Sequence, residues 1–480
     1  MAKSTYLAVD IGASGGRVLA GHFDGRRLDL DAIHRFPNGP VQVGDRLHWD
    51  LLGLWQHIQD GLRVAAARFG DAIRSIGVDT WGVDYGLLGP RDELLGHPYH
   101  YRDARTHGMF ERAFAIVPRE VIFAATGVQF MEINTLYQLL AMRLAGSRVL
   151  DAAESLLLMP DLFHWMLTGE KSVEQTNAST TQLYDPRKKG WAADLIGRLD
   201  LPRGIFGPIV PPGTRLGPLL KQVQHATHLG PIDVVLPGTH DTASAVVAVP
   251  AEAPPAPQPT WCYISSGTWS LMGVEVPEPV ITAECAELNF TNEGAVGGTT
   301  RLLKNIAGLW LVQECRRTWQ QQGREYSWEE LVRLAETADP QGPLIDSDDA
   351  RLAAPQDMPD TIVQLCREAG HTPPDTPGGI IRCALESLAD RYRQVLQSLE
   401  QLTSSRIETI HIVGGGSQNE LLSQLAADAC GRGVVTGPVE ATAIGNVLVQ
   451  CLAAGEIASL DEARQVVRSS FQMQVFEPRK

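Results

Sequence analysis

The sequence predicts an α/β fold in two domains, and three observations predict it. The first hundred residues read in the order βββαβ. A second strand–turn–strand segment of the same kind starts at Trp261. Between them, residues 249–259 hold five prolines in eleven positions, a composition that suits neither a helix nor a central strand. At 480 residues the chain is also too long for one ordinary core. The expected division is therefore a first domain over 1–248, a linker over 249–260 and a second domain over 261–480.

Each element has its own signal. Tyr6–Ile11 is apolar and β-branched, Gly12–Gly16 is a turn, and Arg17–His22 returns as a strand. Leu28–Phe36 is a third strand after the Gly25-Arg26-Arg27 turn. Over Asp50–Phe69 the apolar residues Leu51, Leu54, Trp55, Ile58, Leu62 and Ala65 recur at helical spacing, with Asp50 as N-cap. Ile73–Asp79 is again a strand. Past the linker, Trp261–Ser265 and Trp269–Glu275 flank the turn Ser266-Gly267-Thr268. Helices are expected over Leu309–Gln321, Trp328–Thr337 and Gly379–Leu402, and a strand over Thr409–Val413 that runs into Gly414–Gly416. The two strand–turn–strand segments suggest two halves of related design.

Composition narrows the function. Lys and Arg total 41 against 56 Asp and Glu, a formal charge of −15 that repels a phosphate backbone or an anionic membrane surface. A small nucleotide is still admitted, because local backbone amides and a metal can hold it. The N-terminal MAKSTYLAVDIG has no apolar core of a signal peptide, and no run approaches the length of a membrane-spanning helix. Seven scattered cysteines (262, 285, 315, 366, 383, 430, 451) without C-x-x-C spacing read as reduced thiols in a cytoplasmic protein, a Cys366–Cys383 bridge being the minority reading. His34, His48, His57, His97, His100 and His107 lack the spacing of a helical metal motif and read as surface or packing residues. Trp55 and Trp310 read as core.

Four segments can carry chemistry. In Asp10-Ile-Gly-Ala-Ser-Gly-Gly-Arg17 a carboxylate ends a strand before a glycine turn. It could hold Mg²⁺ through water while the turn amides cradle phosphate, or it could be an ordinary hairpin. In Leu236-Pro-Gly-Thr-His-Asp-Thr242, Asp241 stands at a helix start. It is there either as a cap, or as a proton acceptor that the positive helix end keeps ionised. Ser265–Ser270 is a second hydroxyl-rich turn, and Gly414–Asn419 a glycine loop that could lie flat against a purine. No Walker-type G-x-x-x-x-G-K-[ST] and no G-x-G-x-x-G occurs.

The order of these segments is similar to that of actin-like ATPases, in which two RNase H-like domains clamp a nucleotide. Within that group the chain resembles the FGGY carbohydrate kinases from Leu7 to about residue 450. The likeness rests on Asp10–Arg17, Ser75–Asp84, Tyr101–Thr106, Asn134–Leu139, Leu158–Asp161, Thr176–Leu183, His240–Val246 and Lys304–Ile306. The motifs are most similar to those of members that phosphorylate L-rhamnulose.

The resemblance implies ATP as co-substrate, Mg²⁺, and a sugar site and nucleotide site in a cleft that closes against water. It implies Asp241 as general base with His240 and Thr242 beside the substrate, and Asp10 as the metal-associated carboxylate. It implies Ala13, Ser14, Gly15, Gly16 and Arg17 as the first ATP loop, Thr268 in the second, and Gln313 and Gly415 as further ATP contacts. Gly82 and Asn305 match sugar contacts, and Asp103 and Arg105 match a charged motif. Trp81 and Val83 could wall the deoxy carbon of the sugar. Gly15 stands where many relatives carry Ser, and the proline stretch is longer than usual. The competing readings are a kinase of L-fuculose, L-ribulose or D-xylulose, and an actin-like nucleotide switch with no sugar acceptor.

Overall fold

Ser4–Gly12 folds back on Gly15–Phe23, which pairs in turn with Leu28–Pro37, and these three strands form half of a six-stranded sheet. The computed structural model describes residues 3–340, 342–353 and 355–479. On the other side of Ser4–Gly12 lies Ile73–Thr80 in parallel, followed by Asp233–Val235 in parallel and Arg215–Pro218 antiparallel. The meander side comes from hairpin connections. The parallel side needs crossovers, and the Leu51–Phe69 helix supplies the first. Asp50 caps that helix by accepting from the Gly53 amide at 3.0 Å. Leu51, Leu54, Ile58, Leu62 and Ala65 form its buried face, packed with Leu7, Val9, Ile11, Val18, Ile76 and Val78. Each fully buried aliphatic side chain of this kind contributes about 1.5–3 kcal/mol.

Two compact units divide the chain and interleave along it. The first comprises Met1–Ala256, Glu275–Leu302 and Glu440–Phe471; the second comprises Pro257–Val274, Leu303–Val439 and Gln472–Lys480. In the second unit, Trp261–Ser266 pairs antiparallel with Trp269–Val276 and parallel with Thr409–Val413. Gly433–Thr436 adds a further parallel strand and Gln474–Phe476 an antiparallel edge. Hairpin, two parallel neighbours and antiparallel edge follow in the same succession as in the first sheet. Residues 248–260 carry no regular element. The expected helices appear as Trp310–Gln321, Trp328–Glu336 and Pro377–Thr403.

One late helix completes the first unit. Ala441–Ala454 packs on Asp241–Val247, and glycine makes the approach possible: a Cβ on Gly445 would run into the Ser244 carbonyl oxygen. Across the same face Asn446 and Gln450 reach the sheet. Gln450 donates to the Leu7 carbonyl at 3.0 Å and accepts from the Ser75 hydroxyl at 2.6 Å. All seven cysteines are buried, and the Cys366 and Cys383 sulfurs lie 3.8 Å apart without a bond. No helix among the described residues is long and apolar enough to cross a membrane.

Candidate functional site

The first unit gathers acids at the ends of neighbouring strands. Asp10 faces Arg17 across the hairpin and Asp79 across the parallel pair. Arg17 Nε and Nη2 donate to Asp10 Oδ2 at 3.0 and 2.8 Å, and its Nη1 meets Glu440 at 2.9 Å. Arg17 is therefore engaged with two carboxylates. The two-residue turn Ala13-Ser14 lies between the paired Gly12 and Gly15, and Asn38 ties it down by donating to the Gly12 carbonyl at 2.8 Å. Gly16 has a steric reason: a Cβ there would overlap the ring of Phe36.

Asp79 has no exposed surface. Asn446 donates to its Oδ2 at 2.5 Å, while Oδ1 has no partner. Burial, and then the charge of Asp10, push its carboxyl well above the usual range, favouring the protonated form. Sequence reading passed over this residue. The available signal was an acid near the end of an otherwise apolar strand, with Asn446 and Gln450 four apart on a buried helix.

Asp241 is the first residue of the Asp241–Val247 helix, with His240 in the capping position. Its side chain keeps 29% of its surface exposed, and Oδ1 accepts from the Thr242 amide at 2.7 Å. Burial raises the Asp241 carboxyl, with Asp10 adding to the rise, while His240 and the Thr242 hydrogen bonds oppose it. His240 Nε2 stands 3.5 Å from Asp241 Oδ1. The other ring nitrogen lies 3.2 Å from Glu293 Oε2 and 3.1 Å from Arg301 Nη2. Arg301, wholly buried, also donates to Glu293 at 3.0 Å and to the Gly294 carbonyl at 3.0 Å. Burial pushes Glu293 upward, but the His240 hydrogen bond and the Arg301 charge hold it below its ordinary value. The imidazole is thus clamped from behind while its other edge faces Asp241. Nothing in the sequence around Glu293 or Arg301 pointed to this pair.

Gly82 lies against Thr180, whose hydroxyl oxygen accepts from the Val83 amide at 3.1 Å. Val83 has φ of +68°, a strained conformation for a β-branched residue. Its carbonyl is held by the Thr135 hydroxyl at 2.6 Å. Next to it, buried Asp84 accepts from Trp49 Nε1 at 2.6 Å, Trp81 Nε1 at 3.0 Å and Gln138 Nε2 at 2.8 Å. Burial lifts Asp84 to about 6 against these lowering bonds. Trp81 packs on Trp49 with 4.0 Å between centroids and the planes tilted by 37°, and it is 6% exposed, which leaves little of it as a wall. Asp103 caps a short turn through the Arg105 amide at 3.0 Å, and Arg105 donates to Gln138 at 2.6 Å. Asn177 donates to the carbonyls of Trp81 at 3.3 Å and Thr239 at 3.4 Å, so it joins the Gly82 and His240 segments. Asn177 Oδ1, Arg105 Nε and Nη1, Arg301 Nη1 and Asp79 Oδ1 are buried without partners.

The second unit holds the remaining candidates. The Thr268 hydroxyl donates to Gln313 Oε1 at 3.3 Å. The Gly267 and Thr268 carbonyls accept from the Leu309 and Trp310 amides at 2.9 and 3.2 Å, which seats the start of the Trp310–Gln321 helix on the turn. Gly414 and Gly416 pack on Ser266, whereas a Cβ on Gly415 would meet nothing within 4 Å. The hydroxyl turn and the glycine loop thus end adjacent parallel strands, a common placement for ligands in α/β sheets. Asn305 lies on the Thr300–Ala307 strand, after Lys304, whose ammonium is lowered by burial and by Arg391.

Comparison with known proteins gives matches along nearly the whole chain. Residues 5–248 match the N-terminal domain, and residues 262–454 the C-terminal domain, of the FGGY family of carbohydrate kinases. A rhamnulokinase of Bacteroides thetaiotaomicron is 45% identical over 476 residues, spanning 99% of this chain and 96% of the relative. One of Pectobacterium atrosepticum is 42% identical, over 100% of this chain and 94% of its own. Among solved structures, a ligand-bound xylulose kinase of Lactobacillus acidophilus superposes with a TM-score of 0.80 at 16% identity, covering 99% of this chain and 94% of the other. A Plasmodium falciparum glycerol kinase with ADP gives 0.77 at 14%, covering 99% and 94%; at such identities the likeness concerns the fold.

Proposed function

Because this chain belongs to the FGGY family of carbohydrate kinases, we propose that it transfers the γ-phosphoryl group of ATP to the C1 hydroxyl of L-rhamnulose. The products are L-rhamnulose 1-phosphate and ADP, a step of L-rhamnose breakdown. Full-length identity to rhamnulokinases at 45% and 42% supports the choice of sugar. Seven buried, unbonded thiols suit a reducing compartment, the cytoplasm.

The observation that carries the chemistry is Asp241. It keeps an exposed edge at the start of its helix beside the clamped His240, and burial makes it more basic than an ordinary carboxylate. Asp241 accepts the proton of the attacking hydroxyl as that oxygen bonds to the γ-phosphorus and ADP leaves. His240, clamped by Glu293 and Arg301, orients Asp241 and the sugar; Thr242 fixes Asp241 Oδ1. Gly82 and Asn305 contact the sugar. The amides of Ala13–Gly16 and the Thr268 turn hold phosphate oxygens, and Gln313 and Gly415 hold the rest of the nucleotide.

Hard oxygen donors suit Mg²⁺, and the Asp10 carboxylate at the end of its strand provides them. Arg17 already occupies Asp10 Oδ2, so Asp10 would hold the ion through water. When bound, it supplies charge neutralisation for the phosphates.

The test is ADP release measured with L-rhamnulose, L-fuculose, L-ribulose, D-xylulose and no sugar, with the product located by NMR. The expected result is the highest kcat/KM for L-rhamnulose and phosphate on C1. A better ketose would overturn the sugar, and turnover that ignores sugar would overturn the kinase in favour of a nucleotide switch.

A further inference from the structure

His34, His57 and Asp60 each bring a ligand atom to a common point, all within 4.8 Å of one another. Among the described residues no other trio of His, Cys, Asp or Glu does so. His57 and Asp60 are three apart on the Leu51–Phe69 helix, so they share a face. His34 comes from the facing strand, and a β-bulge brings it there. Val18 pairs with His34 but Leu19 with Ala32, leaving Ile33 as the extra residue. The bulge turns His34 and Phe36 to the side of Val18, which packs under the helix at Gly61.

We propose that these three side chains form a binding site for a divalent transition metal ion of the zinc type, apart from the sugar and phosphate residues. His34 Nε2 and His57 Nδ1 are 3.4 Å apart, the long end of a hydrogen bond. A tetrahedral ion with Zn–N bonds of about 2.0–2.1 Å holds two nitrogens roughly 3.3–3.4 Å apart. The spacing of the two nitrogens therefore matches a chelate, and the Asp60 carboxylate, within 4.8 Å of both, closes on the ion by a side-chain adjustment. Two imidazoles and a carboxylate are borderline ligands that favour Zn²⁺, Co²⁺, Ni²⁺ or Cu²⁺ over Mg²⁺. Asp60 gives Oδ1 to Arg63 at 2.6 Å, and its second oxygen is left for the ion.

The rings are held from behind. Phe36 stacks on His57 with a 4.9 Å centroid separation and 6° between planes, and lies 5.6 Å from His34. The helix and the bulged strand that bear the ligands are closely packed: a Cβ on Gly61 would already crowd Val18 and His34. A site on such elements is preorganised. The same Phe36 lies beneath Gly16, so the site is one side chain away from the first phosphate turn.

The full chain, stripped of metal, is titrated with Zn²⁺ against a chromophoric chelator, and with Co²⁺ by absorption. The expected result is one tightly held equivalent per chain and the strong d–d bands of four-coordinate Co²⁺. His34→Gln and His57→Gln should each weaken Zn²⁺ at least tenfold and abolish those bands, and Zn²⁺ should raise the Tm of the parent but not of either variant. The variants keep size and polarity, and circular dichroism checks that they fold. Equal Zn²⁺ affinity in parent and variants, or no bound equivalent in the parent, overturns the site and leaves a packed histidine pair.

Discussion

The two sheets follow the same succession of strands yet carry opposite chemistry at the same place. In the first, the strand before the hairpin turn bears Asp10, with Arg17 on one neighbour and Asp79 on the other. In the second, Ser265 occupies the comparable place, between Leu271 and Val413. The first turn is backed by acids, a cation and the Asn446 side chain of a largely apolar helix. The second is backed by apolar neighbours and presents a hydroxyl and bare glycine backbone. The proposed roles differ in the same way, with the proton acceptor in the first unit and the adenosine-side contacts in the second. The largest expected effect follows directly. Asp241→Asn keeps the shape but cannot take a proton, so kcat should fall by about 10²–10⁴-fold. ATP affinity by calorimetry and Tm should be retained. Activity within a few-fold of the parent would remove Asp241 as base and with it the division of labour.

How much of this was legible in the sequence depended on distance along the chain. Asp10 and Asp241 stood out because each sits at a strand or helix end within a short motif. The hairpins were legible because turn glycines flank β-branched runs. Glu293, Arg301 and Asn446 were not legible, since they meet His240 and Asp79 only after more than fifty residues of intervening chain have folded. The stretch from residue 85 to 235 gave little for another reason. Its helices are short, and Thr135–Leu144 is buried from Thr135 through Met142, so no one-sided apolar pattern exists to read. The approach of His34 to His57 was not legible either, because it crosses a bulge instead of running along one helix.

A buried acid held directly by neutral donors sharpens the contrast further. Asp84 is buried among indole and amide donors, and burial raises it to about 6 from 3.8. With a raised value in the fold, the folded state binds more protons than the unfolded chain between about pH 4 and 6. The stabilisation is therefore fully present below the unfolded value and is lost as pH rises through the folded one. A rise of that size corresponds to on the order of 3 kcal/mol. Asp84→Asn removes the titration. In urea unfolding, the variant's stability relative to the parent should improve by about that amount from about pH 4 to pH 7. A difference that stays constant with pH would mean that Asp84 is ionised at no cost.

The smallest effect separates the two glycine turns by sterics. Gly16→Ala places a methyl group in the ring of Phe36, and overpacking of this kind costs about 1–3 kcal/mol. Gly415→Ala meets open space, so its stability should change by less than about 0.5 kcal/mol. If Gly415 lies against the nucleotide, the silent stability change should still come with a raised KM for ATP, because the methyl group then occupies space that only a ligand would fill. For Gly16→Ala, a lower Tm should accompany any rise in KM, since Phe36 must move before the turn can. Equal loss of stability in both variants would show that the second loop is as closely backed as the first. An unchanged KM with Gly415→Ala would take that loop away from the nucleotide and leave only the Thr268 turn on its side.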